Sequence, residues 1–244
     1  MRRAPAPITI LLAALILVAC GKDSPIADEN AMPATEPRGT VATTTAPAPR
    51  SARDGCQAVA PPVPAQTPSA TRSAKRLRSK RRNVAVVVTN CGTIRILLDA
   101  KDAPKTTASF AGLARQGFYD GLTFHRIAKP GGNDYVIQGG DPLGTGNGGP
   151  GYSVAEKPPK DTRYVSGTVA MAKAASEPAG TSGSQFFIVT APDTPLPPEY
   201  ALVGRVLGDT TAVRRIARLA SDPVSEAPLD PVVIESVRIE TQKR

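Results

Sequence analysis

The 244-residue chain contains no tryptophan, one histidine and three cysteines. The single histidine, His125, argues against a metal site or relay built from several imidazoles. Cys20, Cys56 and Cys91 are too widely spaced for a C-x-x-C redox pair. The longest apolar run, ITILLAALILVA at 8–19, falls short of the roughly 20 residues that a membrane-spanning helix needs.

That short apolar run is typical of an export signal instead. Arg2 and Arg3 precede it, and it ends in L-V-A-C at Cys20. The ending resembles the cleavage motif of bacterial lipoproteins, in which the cysteine is acylated, for example with palmitate, and becomes the new N-terminus. We therefore expect a signal peptide over 1–19 and a lipid anchor on Cys20 at the extracytoplasmic face of a bacterial membrane. The alternative is an ordinary signal peptide with an incidental cysteine.

Residues 20–82 have the composition of a disordered Pro-rich and basic linker. Nine of the 25 prolines lie between residues 21 and 82, and few apolar side chains separate them. The linker ends in RSAKRLRSKRR at 72–82, which carries much of the formal net charge of +9. This run could attract acidic lipid headgroups or polyanionic wall polymers, or it could simply be a solvated, self-repelling segment. For an exported chain we expect no nucleic-acid partner.

Two cysteines remain if Cys20 is acylated. Outside the cytoplasm a remaining pair is expected to form a disulfide, with two free thiols as the alternative. A Cys56–Cys91 bond would tie the end of the linker to the first hairpin of the folded domain.

The folded domain is predicted over 83–244, where the composition of the chain changes. Short β-branched and apolar runs bounded by Gly, Pro and Asn predict eight strands, over 84–89, 93–99, 122–128, 135–138, 167–171, 185–190, 200–207 and 232–239. Apolar side chains at helical spacing predict two helices, over 103–117 and 210–220. The fold class indicated is mainly β: an eight-stranded closed antiparallel barrel capped by two α-helices.

Several common catalytic motifs are absent or out of context. GTSGSQ at 180–185 is followed by a strand pattern, so it is not a nucleophile elbow. Gly144, Gly146 and Gly149 match G-x-G-x-x-G, but Pro150 and Gly151 follow where a dinucleotide fold needs a helix. These glycines predict a wide irregular loop, which can let a ligand approach the backbone closely.

Four other motifs occur in a diagnostic order. They are F-H-R at 124–126, Q-G-G-D at 138–141, A-M-A at 170–172 and G-S-Q-F-F-I at 183–188. Together they resemble the cyclophilins, a family of peptidyl-prolyl cis/trans isomerases, over about 84–240. The resemblance implies a cyclophilin-like barrel with two capping helices, in agreement with the fold class above.

The resemblance also implies roles for individual residues. The catalytic arginine matches Arg126, and two glutamines of the site match Gln138 and Gln185. Positions that bind the peptide match Tyr135, Val136, Ala172, Ala174, Phe187, Leu196 and Tyr200. The histidine of F-H-R is not assigned the chemistry, so a structural role is expected for His125.

The chain departs from the family pattern at several of these positions. KPGGND at 129–134 lengthens the segment between Arg126 and Gln138, and Lys173 stands where asparagine is frequent. No tryptophan precedes Leu196, and Tyr200 stands where many members have histidine. These differences leave cyclosporin sensitivity and peptide preference open.

The chemistry of the reaction favours the arginine over the histidine. Rotation about an X–Pro bond breaks no covalent bond, so a permanently charged donor aimed at the prolyl nitrogen is more useful than a proton relay. We expect an isomerase that acts on proline-containing, exported polypeptides as a monomer without a metal or organic cofactor. A non-catalytic proline-peptide-binding chaperone or scaffold is the main alternative, and a hydrolase using His125 is the third.

Overall fold

A computed structural model of the chain describes residues 55–60, 70–73 and 75–243. These residues form ten strands, two α-helices and a short 3-10 turn. The strands are β1 (Arg82–Thr89), β2 (Gly92–Leu98), β3 (Thr123–Ala128), β4 (Val136–Asp141), β5 (Val154–Ala155), β6 (Thr168–Met171), β7 (Thr181–Ser182), β8 (Phe186–Val189), β9 (Leu202–Val206) and β10 (Ile234–Gln242). The helices are α1 (Pro104–Arg115) and α2 (Thr211–Arg218), and the turn is Pro130–Gly132. The eight predicted strands and both predicted helices are therefore confirmed, and β5 and β7 are additional.

Eight of the strands form one antiparallel sheet in the order β10-β1-β2-β9-β6-β8-β4-β3. The remaining two, β5 and β7, pair with each other. The large sheet curls around a core but stays open, so the prediction of a closed barrel is wrong. Among the described residues, its two ends share a single bridge, between Thr123 and Val233, rather than a ladder.

The physical reason lies in the loop that precedes β10 and covers the free edge of β3. This loop contains Pro228 and Pro231, which have no N–H group to donate to a ladder. The backbone hydrogen bonds from β3 to this loop are not consecutive. Phe124 N–H donates to the carbonyl of Val232 at 2.9 Å, and Ile127 N–H donates to the carbonyl of Glu226 at 2.8 Å. The edge of β3 is thus satisfied by a loop instead of a strand.

The concave side of the sheet encloses the main hydrophobic core. Phe110, Phe124 and Phe186 are fully buried there, and the ring of Phe186 meets the other two edge to face at 5.5 and 5.6 Å. Helix α1 packs against β9 and β10, and α2 packs against β2 and β4. The helices therefore cover the core as predicted, and the convex side is left for a second, smaller cluster around Phe187.

Parts of the predicted linker contact the domain. Cys56 forms a disulfide with Cys91, and Gln57 donates from its backbone to Asn90 O at 2.7 Å. Leu77, within the basic run, is only 9% exposed and belongs to the main core. Residues 20–54, 61–69 and 74 of the predicted linker, Cys20 among them, lie outside the described residues, as does the predicted signal peptide 1–19. No helix in the described ranges is long and apolar enough to span a bilayer.

Candidate active site

The three residues predicted to be catalytic are joined by hydrogen bonds. Arg126 on β3 lies directly opposite Gln138 on β4, and its Nη1 donates to Gln138 Oε1 at 3.1 Å. Gln138 Nε2 in turn donates to Oε1 of Gln185 at 2.9 Å. Antiparallel pairing of β3, β4 and β8 therefore brings together side chains that are far apart in sequence.

Gln185 links this chain of hydrogen bonds to the glycine loop, which we define as residues 143–151. Its Nε2 donates to the carbonyl oxygens of Gly146 and Gly148 at 2.8 and 2.9 Å. The loop is anchored from within by Asp141, which is 1% exposed and accepts bonds from the backbone N–H groups of Leu143, Thr145 and Gly146. The aspartate of Q-G-G-D thus fixes the loop that holds Gln185.

The other side of Arg126 is fixed by a carboxylate. Arg126 Nε donates to Glu226 Oε2 at 2.5 Å, and the two side chains are 37% and 29% exposed. Among the described residues, Nη2 of Arg126 has no hydrogen-bond partner, so its two N–H groups are available to a ligand.

An apolar cluster adjoins these polar groups, and we call it the Phe187 cluster. Phe187 lies opposite Gln138 in the sheet register, and both Phe187 and Val136 are 4% exposed. Tyr200 meets Phe187 edge to face at 5.5 Å between ring centroids. The other members are Ala128, Tyr164, Ala170, Val189 and Ala191, with Tyr135, Ala172, Leu196 and Leu202 partly buried against them. Six of the seven predicted peptide-binding residues therefore belong to this cluster or pack against it, the exception being Ala174.

Strand alternation separates two neighbouring phenylalanines. Phe186 packs in the main core, whereas Phe187 belongs to the cluster on the opposite face. This is the arrangement expected for consecutive residues of a strand, one for the core and one for the site.

A hollow of about 350 Å³ is lined in part by Gln138 and Gln185. Ala172, Lys173 and Ala174 form one wall and the glycine loop forms another. Ala174 is exposed, and its N–H donates to the carboxylate of Glu177 at 2.7 Å. Of the predicted peptide-binding residues, it lies at the rim rather than in the Phe187 cluster.

Lys173, in the wall of this hollow, contacts three neighbouring residues, Glu177, Glu199 and Tyr200. Its side chain is only 4% exposed, and Nζ lies 3.2 Å from Glu199 Oε2 and 5.7 Å from the centroid of the Tyr200 ring. It also donates to the backbone carbonyl of Glu177 at 3.1 Å. The lysine that departs from the family pattern thus joins the hollow to the Phe187 cluster.

Two phenols of the site, Tyr164 and Tyr135, are harder to ionise than a free tyrosine. Burial raises the pKa of Tyr164 to about 12. Burial also raises the pKa of Tyr135, with Tyr200 adding to the rise and Arg126 opposing it. Both phenols are therefore neutral at physiological pH and contribute apolar surface and hydrogen bonds rather than charge.

His125 faces away from the predicted catalytic residues. It lines a separate hollow of about 500 Å³ with Asp141, Pro142 and Pro228, and neither ring nitrogen has a hydrogen-bond partner among the described residues. Burial lowers the pKa of His125, Asp141 opposes that change, and Arg126 adds to it. A buried, uncharged imidazole fits the structural role expected for it.

Two residues of the site were missed by the sequence analysis. Asp141 lies within Q-G-G-D, and its position before a glycine-rich run is a signal that it caps that loop. Glu226 lies 100 positions from Arg126, and nothing in its local sequence indicates the contact. Within the described ranges no cluster of three or more His, Cys, Asp or Glu side chains could hold a metal ion.

Known proteins are similar to this chain in sequence and in fold. The family model described as cyclophilin type peptidyl-prolyl cis-trans isomerase/CLD matches residues 84–239. A peptidyl-prolyl cis-trans isomerase A of Mycobacterium tuberculosis is 39% identical over 174 residues, covering 64% of this chain and 91% of the relative. Peptidyl-prolyl cis-trans isomerase B of Streptomyces anulatus is 37% identical over 176 residues, covering 65% and 97%.

A solved structure agrees with these relatives. The crystal structure of a cyclophilin type peptidyl-prolyl cis-trans isomerase from Cryptosporidium parvum, in the presence of the dipeptide Ala-Pro, has a TM-score of 0.58 and 30% sequence identity. The match covers 64% of this chain and 98% of that one. With its curled sheet, its two helices and this family match over most of the folded domain, the chain belongs to the cyclophilin-type peptidyl-prolyl cis-trans isomerases.

Proposed function

We propose that the chain speeds rotation about X–Pro bonds of exported polypeptides, with Arg126 as the catalytic residue and the Phe187 cluster as the proline pocket. The amide barrier is about 18–20 kcal/mol because resonance gives the C–N bond double-bond character. In the half-rotated state this resonance is lost and the prolyl nitrogen gains a lone pair. A donor aimed at that lone pair binds the transition state more strongly than the planar ground state.

The observation that carries the proposal is the pairing of Arg126 with Gln138 at 3.1 Å, next to Phe187 in the sheet register. A charged, oriented fork therefore lies at the border of an apolar surface. Proline fits such a surface because its ring is apolar and its nitrogen has no hydrogen to donate. The Ala-Pro dipeptide present with the Cryptosporidium relative supports the same class of ligand.

One charged hydrogen bond does not account for the whole acceleration. Such a bond contributes about 1.5–3 kcal/mol, which corresponds to roughly 10- to 100-fold in rate. The remainder must come from holding the proline ring while the acyl carbonyl turns, and from removing water from the amide. Gln138 accepts a hydrogen bond from Arg126 and so limits the motion of the guanidinium fork relative to the bound proline.

The test is a protease-coupled prolyl-peptide assay on residues 55–244, comparing the native sequence with Arg126→Ala and Arg126→Lys. We expect Arg126→Ala to lose about 10- to 100-fold in kcat/KM. Arg126→Lys keeps the charge but not the fork, so we expect a loss of similar size. Equal rates for all three proteins would remove Arg126 from the mechanism.

The same experiment separates an isomerase from a binding module. If the native protein leaves the rotation rate unchanged but shifts the NMR signals of a proline peptide, the chain captures such peptides without catalysis. His125→Gln serves as the control for hydrolase chemistry, because only a His125-dependent hydrolase would lose its activity with this change and keep it with Arg126→Ala.

We further propose that the mature protein is a lipoprotein anchored through Cys20 at the extracytoplasmic face of a bacterial membrane. The support is the R-R, apolar run and L-V-A-C pattern at the N-terminus. Mass spectrometry of the mature N-terminus tests it. We expect an acylated Cys20 in the membrane fraction, and an unmodified Cys20 or a retained Met1 would contradict the proposal.

A further inference from the structure

Glu226, which contacts Arg126, has an unusual backbone conformation. Its φ is +58°, and among the described residues it is the one non-glycine residue with positive φ. A side chain in this region is strained, because Cβ crowds the neighbouring carbonyl. The chain thus places a glutamate where glycine would be preferred.

A tight turn holds Glu226 in this conformation. The carboxylate of Asp222 accepts bonds from Ser225 N–H at 2.7 Å, from the Ser225 hydroxyl at 2.9 Å and from Val224 N–H at 3.0 Å, and these bonds lower the pKa of Asp222. Glu226 N–H donates to the Asp222 carbonyl at 2.9 Å, and Glu226 O accepts from Ile127 N–H at 2.8 Å. The turn therefore attaches Glu226 to β3 immediately beside Arg126.

The contact fixes the orientation of the guanidinium. Glu226 occupies Nε and Gln138 occupies Nη1, so two acceptors on different elements determine the plane of the fork. Nη2, which has no partner among the residues that the structure describes, keeps both of its N–H groups for a ligand. A guanidinium held at two points loses less freedom when it binds a transition state.

Stability alone does not account for this arrangement. Both side chains of the pair are about one third exposed, and ion pairs at such positions contribute little to folding. Positive φ at a glutamate opposes folding. Strain held in place by a dedicated turn beside a functional side chain indicates a functional role.

We propose that Glu226 is a positioning residue for Arg126, which it holds with Nη2 directed at the prolyl nitrogen. This inference rests on the proposed catalytic role of Arg126. Glu226 acts through that side chain and does not touch the substrate. Its loss is therefore expected to lower kcat while KM changes little.

Glu226→Gly tests the proposal, because glycine accepts positive φ without strain and has no carboxylate. We expect this variant to be at least as stable as the native protein and yet to lose about tenfold in kcat. Glu226→Gln retains an acceptor oxygen and should stay within about threefold. The Arg126 Nε–H signal in NMR spectra should be protected from solvent exchange in the native protein and in Glu226→Gln, and lose that protection in Glu226→Gly.

Glu240→Ala is the matched control. It breaks the Arg95–Glu240 pair, which is similarly exposed at 39% and 41% and lies away from the site. We expect native kcat and native protection of Arg126 Nε–H in this variant. Native kcat or a protected Nε–H in Glu226→Gly would overturn the role of Glu226, as would an equal loss of kcat in the control. If Arg126→Ala itself is fully active, the failure belongs to the proposed mechanism rather than to Glu226 alone.

Discussion

At the scale of single residues, the adjacent side chains of Arg126 and His125 have different surroundings. Arg126 presents a guanidinium fork to the site, whereas neither ring nitrogen of the neighbouring His125 has a hydrogen-bond partner in the part of the chain that the structure describes. The two adjacent side chains of F-H-R thus serve different purposes. The arginine lies beside the Phe187 cluster, and the histidine packs beside Asp141 in a separate hollow.

The burial of His125 predicts a pH dependence of stability. Its folded pKa is lowered from the usual 6.5, so below pH 6.5 the unfolded chain binds a proton that the folded chain does not. The contribution to stability is therefore complete above pH 6.5 and is lost as the pH falls toward the folded pKa. We expect the urea midpoint of the native protein to fall more steeply between pH 7.5 and 5 than that of His125→Gln.

His125 is the one histidine of the chain, so a difference between the two pH profiles reports on this imidazole alone. The isomerase rate at pH 7.5 should be nearly the same in both proteins, because the hollow that His125 lines does not include Arg126, Gln138 or Gln185. Parallel profiles, or an imidazole that titrates at its ordinary pKa in NMR spectra, would refute the prediction.

At the scale of elements, features that depend on interactions between nearby residues could be predicted from the sequence, and features that depend on long-range contacts could not. Strand and helix positions depend on local periodicity, and the eight strands and two helices were predicted from it. β5 and β7 have two residues each, which is too short for a period to be visible. Whether the sheet closes depends on the loop before β10, which reaches β3 only in the folded chain, and sequence patterns do not show that contact.

The same distinction applies to the site. Arg126, Gln138, Gln185 and Phe187 lie within recognisable motifs, so a family resemblance was enough to single them out. Glu226 reaches Arg126 from a turn 100 positions away. Glycine is the usual sequence signal of positive φ, but in this turn the residue with positive φ is Glu226 itself. The resemblance therefore identified the residues within family motifs, and the structure added the support around them.

The glycine loop gives a prediction at the element scale. Asp141 holds this loop through three backbone N–H groups, and a Cβ on Gly148 would lie 2.0 Å from its Oδ1. Asp141→Asn removes the charge and turns an amide N–H₂ group toward these donors. We expect a loss of about 1–3 kcal/mol in unfolding free energy.

Activity should fall with the same substitution, because Gln185 binds the carbonyl groups of Gly146 and Gly148 on that loop. Urea denaturation and the prolyl-peptide assay check the two effects. Asp161→Asn, at an exposed aspartate, is the control and should change neither quantity. A native midpoint and rate in Asp141→Asn would show that the loop does not depend on this carboxylate.

At the scale of the whole molecule, the folded unit begins before the first strand. Composition places the domain boundary at residue 83, because prolines and cations dominate the preceding segment. Yet Cys56 is bonded to Cys91, Ala70 N–H donates to Pro150 O at 3.2 Å, and Leu77 is buried in the main core. A single apolar residue among seven cations is a weak sequence signal, although it has a clear place in the fold.

This extension predicts that a chain covering 83–244 is less stable than one covering 55–244. The longer chain keeps a disulfide that closes a separation of 35 residues, which corresponds to about 3–4 kcal/mol in the chain-entropy estimate. It also buries Leu77, which adds about 1.5–3 kcal/mol if the side chain is exposed on unfolding. Urea denaturation under oxidising conditions should show the difference as a lower midpoint for the shorter chain.

Two further variants of the longer chain separate the contributions. A Cys56→Ser and Cys91→Ser double variant removes the disulfide alone, and Leu77→Ala removes the apolar contact alone. Below the unfolding transition, the isomerase rate should be nearly the same in the longer chain and in both of its variants, because neither the disulfide nor the Leu77 contact involves Arg126 or the Phe187 cluster. Equal midpoints for the two chain lengths would mean that residues 55–82 rest on the domain without stabilising it, and the functional unit would then begin at β1.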